Sequence, residues 1–239
     1  MFRHKGKNRT FSHNLRLASM LSLVAGIVNV TGVMGLKVLT TNVTGHFAYF
    51  AEEMVIQHYS VAIIFSLYIL SFLLGAFFSN LLIEIFIRKR AFISYAIPIS
   101  VEILLLLTIS LGANNYFNNS VSACILLFAM GLQNALVTKI SNSVVRTTHL
   151  TGLFTDLGIE LSQLIFYKRN ESNFRKLLQS INLKLAIILC FFMGCLLSGV
   201  LYKTMHFHTL FIAVVILLFA LFFDSARSRY YHLKRKLTH

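Results

Sequence analysis

An all-helical integral membrane protein is the fold class this sequence predicts. Three observations predict it: long apolar runs, basic residues clustered beside alternate runs, and a second half that repeats the first. Of 239 residues, 56% are hydrophobic and only 13% are charged, which is about half the charge of a soluble domain. A membrane-crossing helix needs about 20 mostly apolar residues. Six runs supply that length: 17–36, 61–87, 92–111, 121–138, 183–202 and 207–223. They leave no soluble domain of any size. Backbone in lipid must satisfy its own hydrogen bonds, and that selects helix.

The first run follows a basic head, Arg3, Lys5, Lys7, Arg9 and Arg16. It is too long for the apolar region of a signal peptide, and no small-x-small site precedes a soluble domain, so it reads as the first span. Arg88, Lys89 and Arg90 follow the second run. Lys139, Arg146, Lys168, Arg169, Arg175, Lys176 and Lys184 lie between the fourth and fifth. Arg227, Arg229, Lys234, Arg235 and Lys236 end the chain. If six helices alternate, all but Lys37 and Lys203 of the 22 lysines and arginines share one side. This positive-inside asymmetry puts both termini in the cytoplasm. The net charge of +14 then reflects topology and attraction to lipid headgroups, so the expected partner is the bilayer and no nucleic acid. Cys124, Cys190 and Cys195 fall inside spans at spacings that fit neither a zinc site nor a redox pair.

The repeat appears when the chain is shifted by 107 residues against itself. Thr40, Thr41, Thr44, Gly45, Phe47 and Glu53 then fall on Thr147, Thr148, Thr151, Gly152, Phe154 and Glu160. With a two-residue slip, "AGIVN" (25–29) matches "MGLQN" (130–134), and with a further slip, to a shift of 119, "FLLGAFFS" (72–79) matches "FFMGCLLS" (191–198). Each half holds three spans, an odd number, so the second half enters the membrane from the opposite side. The expected architecture is two inverted three-helix repeats, a recurring transporter plan. The boundaries read as 1–16 basic cytoplasmic N-terminus, 17–111 first repeat, 112–119 outer loop, 120–223 second repeat and 224–239 basic tail.

Each repeat also carries a short amphipathic helix after its first span, expected over 45–58 and 152–166. Thr44 and Thr151 look like helix starts, each hydroxyl accepting from a free backbone N–H. Phe47, Phe50, Ala51 and Met54 mark one face of the first, Glu52, Glu53 and Gln57 another. Phe154, Leu157, Leu161 and Leu164, against Asp156, Glu160 and Gln163, do the same in the second. Such helices either lie flat at opposite membrane faces or dip in as re-entrant half-helices. In the second case their N-termini converge on one site that favours an anion or the polar edge of a small solute. In the first, Thr-Gly only caps two interfacial helices. The residues that would form the site are Asn29, Thr44, Gly45, Gln133, Asn134, Thr151 and Gly152.

"VAGIVNVTGVMGL…TTNVTGHF" and "AMGLQNALV…TTHLTGLFTDLG" resemble the YoaK-type family of six-helix bacterial membrane proteins, a domain of unknown function. Gly131, Gln133, Asn134, Ala135, Thr148, Thr151 and Gly152 match its motifs over a resemblance that spans about 17–225. Asn29 stands where the family usually has Asp, and His46 where it has Asn. The resemblance implies an integral protein of the bacterial inner (plasma) membrane and is compatible with transport. In that setting the "NVT" sequon at 42–44 is discounted.

Several other residues bear on function. Glu102 lies deep in the third span, where an acid costs roughly 2.5–3.5 kcal/mol on insertion scales and so should face the bundle interior. It reads as a proton carrier or as a hydrogen-bonded structural acid; Pro98, one turn earlier, frees a carbonyl there. Glu53 and Glu160, the repeated acids, read as further proton-coupling sites or as the wet face of an amphipathic helix. Glu84 is spaced to pair with Arg88. Gly75, Ser79, Gly194 and Ser198 form small-xxx-small pairs for close helix contact. His206 and His208, with His46 and His58, are weak metal ligands by spacing, so no metal and no cofactor is expected. No nucleophile set or phosphate loop is present, so an enzyme is not expected. The leading reading is a secondary transporter of a small polar or anionic solute; the alternative is a non-transporting scaffold or partner subunit. A homo-oligomer is compatible with either.

Overall fold

A computed structural model describes residues 10–87, 91–113, 116–166 and 172–237; for 87, 91–93, 172 and 224–237 it describes the backbone alone. The basic residues Arg3 to Arg9, Arg88 to Arg90, Lys168 and Arg169 lie outside the described residues, as do the side chains of the basic tail. All regular structure among the described residues is helical. The order is α1 (Phe11–Leu36), α2 (Val43–Val55), α3 (Tyr59–Ile87), α4 (Ala91–Gly112), α5 (Asn119–Ser141), α6 (Leu150–Phe166), α7 (Ser172–Met205) and α8 (Leu210–Leu237).

Among the described residues, five stretches are long and apolar enough to cross a membrane: Phe11–Leu36, Tyr59–Phe86, Ser94–Gly112, Asn119–Ser141 and Asn173–Phe223. The last is 51 residues, far longer than a bilayer core requires. It is broken by a 3-10 turn at His206–Thr209, where His206 takes φ 48°, so it holds α7 and the start of α8. Leu67, Leu70, Leu74 and Phe77 on α3, and Leu189, Phe192, Leu196 and Val200 on α7, are all exposed. A soluble protein rarely exposes apolar surface on this scale; lipid is its natural cover, and the fold is that of a membrane-embedded protein.

The helices fall into an inner and an outer set. The spans in α1 and α5 are 67% and 61% buried, whereas that in α3 is only 17% buried. Leu17, Leu21 and Ile27 of α1 and Leu126, Leu127 and Met130 of α5 are fully enclosed. Each inner helix is clasped by one outer helix of the other half. A Cβ at Gly26 would run into the carbonyl oxygen of Phe191 on α7, and one at Gly194 into that of Leu23 on α1. The same happens between α5 and α3: Gly131 meets the carbonyl of Phe72, and Gly75 that of Phe128. Gly75 and Gly194 therefore serve the close contacts their spacing predicts, and the partner in each case is the first helix of the opposite half.

Both clasped pairs run parallel. C-terminal to the Gly26–Gly194 crossing, Thr31 Oγ1 and Ser198 Oγ share a hydrogen bond of 2.9 Å. C-terminal to the Gly75–Gly131 crossing, Lys139 Nζ reaches Glu84 Oε1 at 2.7 Å. Lys139 is thus an observed partner of Glu84, and the Arg88 expected from helix spacing is outside the described residues. Further out, α4 packs on α5 and α8 on α1, and α4 and α8 pack on each other.

Helix ends depart from the apolar runs for a common reason: hydropathy marks the part that fits lipid, not the part that is helical. α1 begins at Phe11, six residues before its run, and α7 at Ser172, eleven before. α8 continues as helix into the basic tail. α4 runs unbroken through Pro98.

Candidate functional site

Both Thr-rich phrases sit on connections that turn back into the bundle. α1 ends on Lys37, held in the left-handed conformation at φ 60°, and α5 ends on Asn142 and Ser143 at φ 58° and 65°. Each left-handed residue reverses the chain and satisfies late helix carbonyls. Thr41 Oγ1 then donates to Asn29 Oδ1 at 3.0 Å, two turns before the end of α1. At 1.5 Å per residue, that is about 10 Å back from its terminus. In the second half Gln133 Nε2 donates to Leu21 O at 3.0 Å and reaches Thr147 Oγ1 at 3.5 Å. Gln133 is about 12 Å back from the end of α5 and ties α5, α1 and the returning chain together. The chain before α2 and before α6 therefore folds back along the preceding helix.

The start of α2 departs from the expected cap. The cap is Asn42, whose Oδ1 accepts from Gly45 N at 3.1 Å; the helix begins at Val43 and Thr44 is exposed in its first turn. Asn outcompetes the later Thr because its carbonyl oxygen reaches the third helical N–H without distorting the turn. α6 begins at Leu150, one residue ahead of Thr151. The buried residue of α2 is His46, not one of the apolar set: Phe47 and Met54 are exposed. His46 Nε2 lies 2.8 Å from Leu39 O, and since a carbonyl only accepts, Nε2 carries the proton. Its ring packs on Phe65 and Tyr68 of α3, with centroids 6.1 and 5.4 Å apart. In α6, Leu153 and Leu157 turn inward while Phe154 and Leu161 are exposed. Both short helices thus turn apolar side chains outward.

A cavity of about 300 Å³ lies where these starts meet, a size at the lower end of ligand pockets. It is lined by Asn29 of α1, Leu39, Thr41 and Asn42 before α2, Thr148, His149, Leu150 and Thr151 at α6, and Phe191 of α7. Of the residues the sequence nominated, Asn29 and Thr151 line it. Gln133 and Asn134 do not line it; Gln133 is fully buried and Asn134 has an enclosed Oδ1. Thr44, Gly45 and Gly152 do not line it; a Cβ at Gly152 would strike the His149 ring. Sequence reasoning passed over Thr41, Asn42, Thr148 and His149. One signal was present: Thr41 and Thr148 are mates in the repeat, and both line the cavity, while their neighbours Thr40 and Thr147 are fully buried. The aligned phrases thus divide the labour between packing and lining.

The model of DUF1275, proteins of unknown function, matches residues 17–223. The chain belongs to this family. It is the family to which the Thr-Gly and Gly-x-x-Asn motifs pointed. No curated protein and no solved structure matches the chain. The family match covers α2, α6 and every residue of the cavity.

The acids lie apart from the cavity. Glu102 in α4 is fully buried, and neither carboxyl oxygen has a hydrogen-bond partner among the described residues. Glu53 Oε2 is 3.2 Å from His58 Nδ1. Glu160 Oε1 receives Lys184 Nζ and Ser180 Oγ of α7, both at 2.6 Å. Among the described residues no three His, Cys, Asp or Glu gather as a metal set, and His206 and His208 are exposed at the 3-10 turn.

Proposed function

We propose that this DUF1275 protein is a secondary transporter of a small polar or anionic solute. In this reading it has six spans in the inner (plasma) membrane, both termini in the cytoplasm, and two inverted halves. The cavity lined by both Thr-Gly connections carries the proposal. Two helix N-termini open on it, and no Asp, Glu, Lys or Arg lines it. Such a site offers hydroxyls, amides and free backbone N–H groups, which suit an anion or a neutral polar solute. The six-span inverted plan is supported by the packing: exchanging α1, α3 and α4 with α5, α7 and α8 leaves the clasped pairs unchanged. The parallel course of α1 with α7 and of α3 with α5 is the course six alternating spans would give.

For proton coupling we choose Glu102 over Glu53 and Glu160. The other two acids already have a basic partner at 3.2 and 2.6 Å, whereas Glu102 has none among the described residues. The test is uptake by the full chain in proteoliposomes across a panel of small anions and neutral polar solutes, with an imposed pH gradient. A transported solute should shift the melting temperature, and Asn29→Ala should weaken both uptake and that shift. Glu102→Gln should keep the shift and lose gradient-driven uptake. A folded protein that moves no solute and no protons, and whose melting temperature no solute shifts, would leave the scaffold reading in its place.

A further inference from the structure

A second concavity lies far from the first, between the opening turns of α1 and the last apolar turns of α8. Its volume is about 410 Å³. The walls are His13, Leu15, Ser19 and Met20 on one side and Phe219 and Phe223 on the other, with Arg16 among them. The two Phe rings stack on each other, with centroids 6.1 Å apart, and both are exposed rather than packed into the core. Arg16 is exposed and makes no ion pair among the described residues. The groove therefore couples an open apolar trough to Arg16, its one Lys or Arg among the described residues.

That combination matches one chemistry available at a membrane surface. An acyl chain fills an apolar trough without leaving a polar group unsatisfied. A phosphate meets a guanidinium through charge-assisted hydrogen bonds that a neutral molecule cannot make. Arg reaches such a headgroup while its stem lies along apolar surface. A free phosphate would use only the Arg, and a fatty-acyl chain alone only the trough. We propose that this groove binds an anionic phospholipid, its acyl chain along Leu15, Met20, Phe219 and Phe223 and its phosphate on Arg16. The site is independent of the solute cavity and of transport.

The experiment is native mass spectrometry of the delipidated full chain, titrated with phosphatidylglycerol or with phosphatidylcholine of the same acyl chains. Phosphatidylglycerol should bind more tightly. Arg16→Ala should weaken it about fivefold, the effect of one basic residue at an anionic headgroup, and leave phosphatidylcholine unchanged. Phe219→Ala should weaken both lipids. Unchanged melting temperatures of the two variants in lipid-free detergent check that the fold is intact; if Arg16→Ala unfolds, Arg16→Lys should retain the preference. Equal binding of the two lipids, an unaltered preference in Arg16→Ala, or displacement of the lipid by inorganic phosphate alone would each overturn the proposal. So would a dimer that Phe219→Ala dissociates, since the groove would then hold a second copy.

Discussion

The connections before α2 and α6 carry nearly the same words and both reverse on a left-handed residue, yet different side chains hold them. Before α2, every tie is neutral: Thr41 to Asn29, Asn42 to the Gly45 N–H, His46 to the Leu39 carbonyl, and aromatic packing on α3. Before α6, Gln133 reaches Thr147 from below, and Ser141 accepts from the Val145 N–H at 3.0 Å. α6 itself is tied to α7 by Glu160, Ser180 and Lys184. Both halves thus reverse on a left-handed residue, while the anchoring chemistry is local to each. A returning chain needs a left-handed residue, a polar tie two turns up the preceding helix, and a short helix seated on the next one. Many side chains meet those needs.

The largest expected effect breaks what the halves share. Gly75→Val and Gly194→Val each force a backbone carbonyl aside, and each should destabilise the protein by about 3 kcal/mol. Gly158→Ala, where nothing lies within 4 Å, should instead stabilise α6 by about 1 kcal/mol. Thermal unfolding in one detergent compares all three. If only one of the two crossing glycines matters, the halves are not built alike.

The next effect separates the anchors. Lys184→Ala leaves Glu160 half-buried without its cation, and should cost about 1.5–3 kcal/mol in the second half. Removing His58 from the more exposed pair with Glu53 should cost about 0.2–1 kcal/mol. Amide hydrogen exchange in α6 should speed up only in Lys184→Ala. Equal destabilisation in the two variants would mean the ion pair is not the anchor of α6.

Smaller effects sharpen the comparison at the helix starts. Asn42→Ala should cost about 1 kcal/mol by removing the α2 cap. Lys37→Asn should gain about 0.5 kcal/mol, because Asn accepts the left-handed conformation that Asn142 already holds in the other half. Chemical unfolding read on the purified chain detects both. A loss on Lys37→Asn would show that Lys37 has a contact that outweighs its backbone strain.

Much of this was legible in particular residues. The Gly-xxx-Ser pairs at Gly75 and Gly194 announced close helix contact, and the aligned Thr41 and Thr148 pointed at the cavity without being chosen for it. His46 stood out in the sequence only as a weak metal ligand and a departure from the family's Asn, and it is the buried residue of its helix. No periodicity could show this, because its burial depends on Leu39, Phe65 and Tyr68 arriving from two other segments. Thr44 was chosen as a cap when Asn42 stood two residues earlier; the helix begins at Val43, so Asn42 caps it and Thr44 falls inside its first turn.

The sequence by itself determined that the chain is helical and membrane-embedded, and where its apolar helices lie, because desolvating an open backbone in lipid is too costly for any other state. It also determined that two phrases recur, because residue identity needs no fold to be compared. Only the tertiary structure decided that those phrases turn inward to one cavity and that Asn29, Thr148 and Phe191 share its wall. It alone decided that Glu102 stands apart from that wall. These are meetings of residues far apart in the chain, and they are fixed by which backbones the glycines allow to touch.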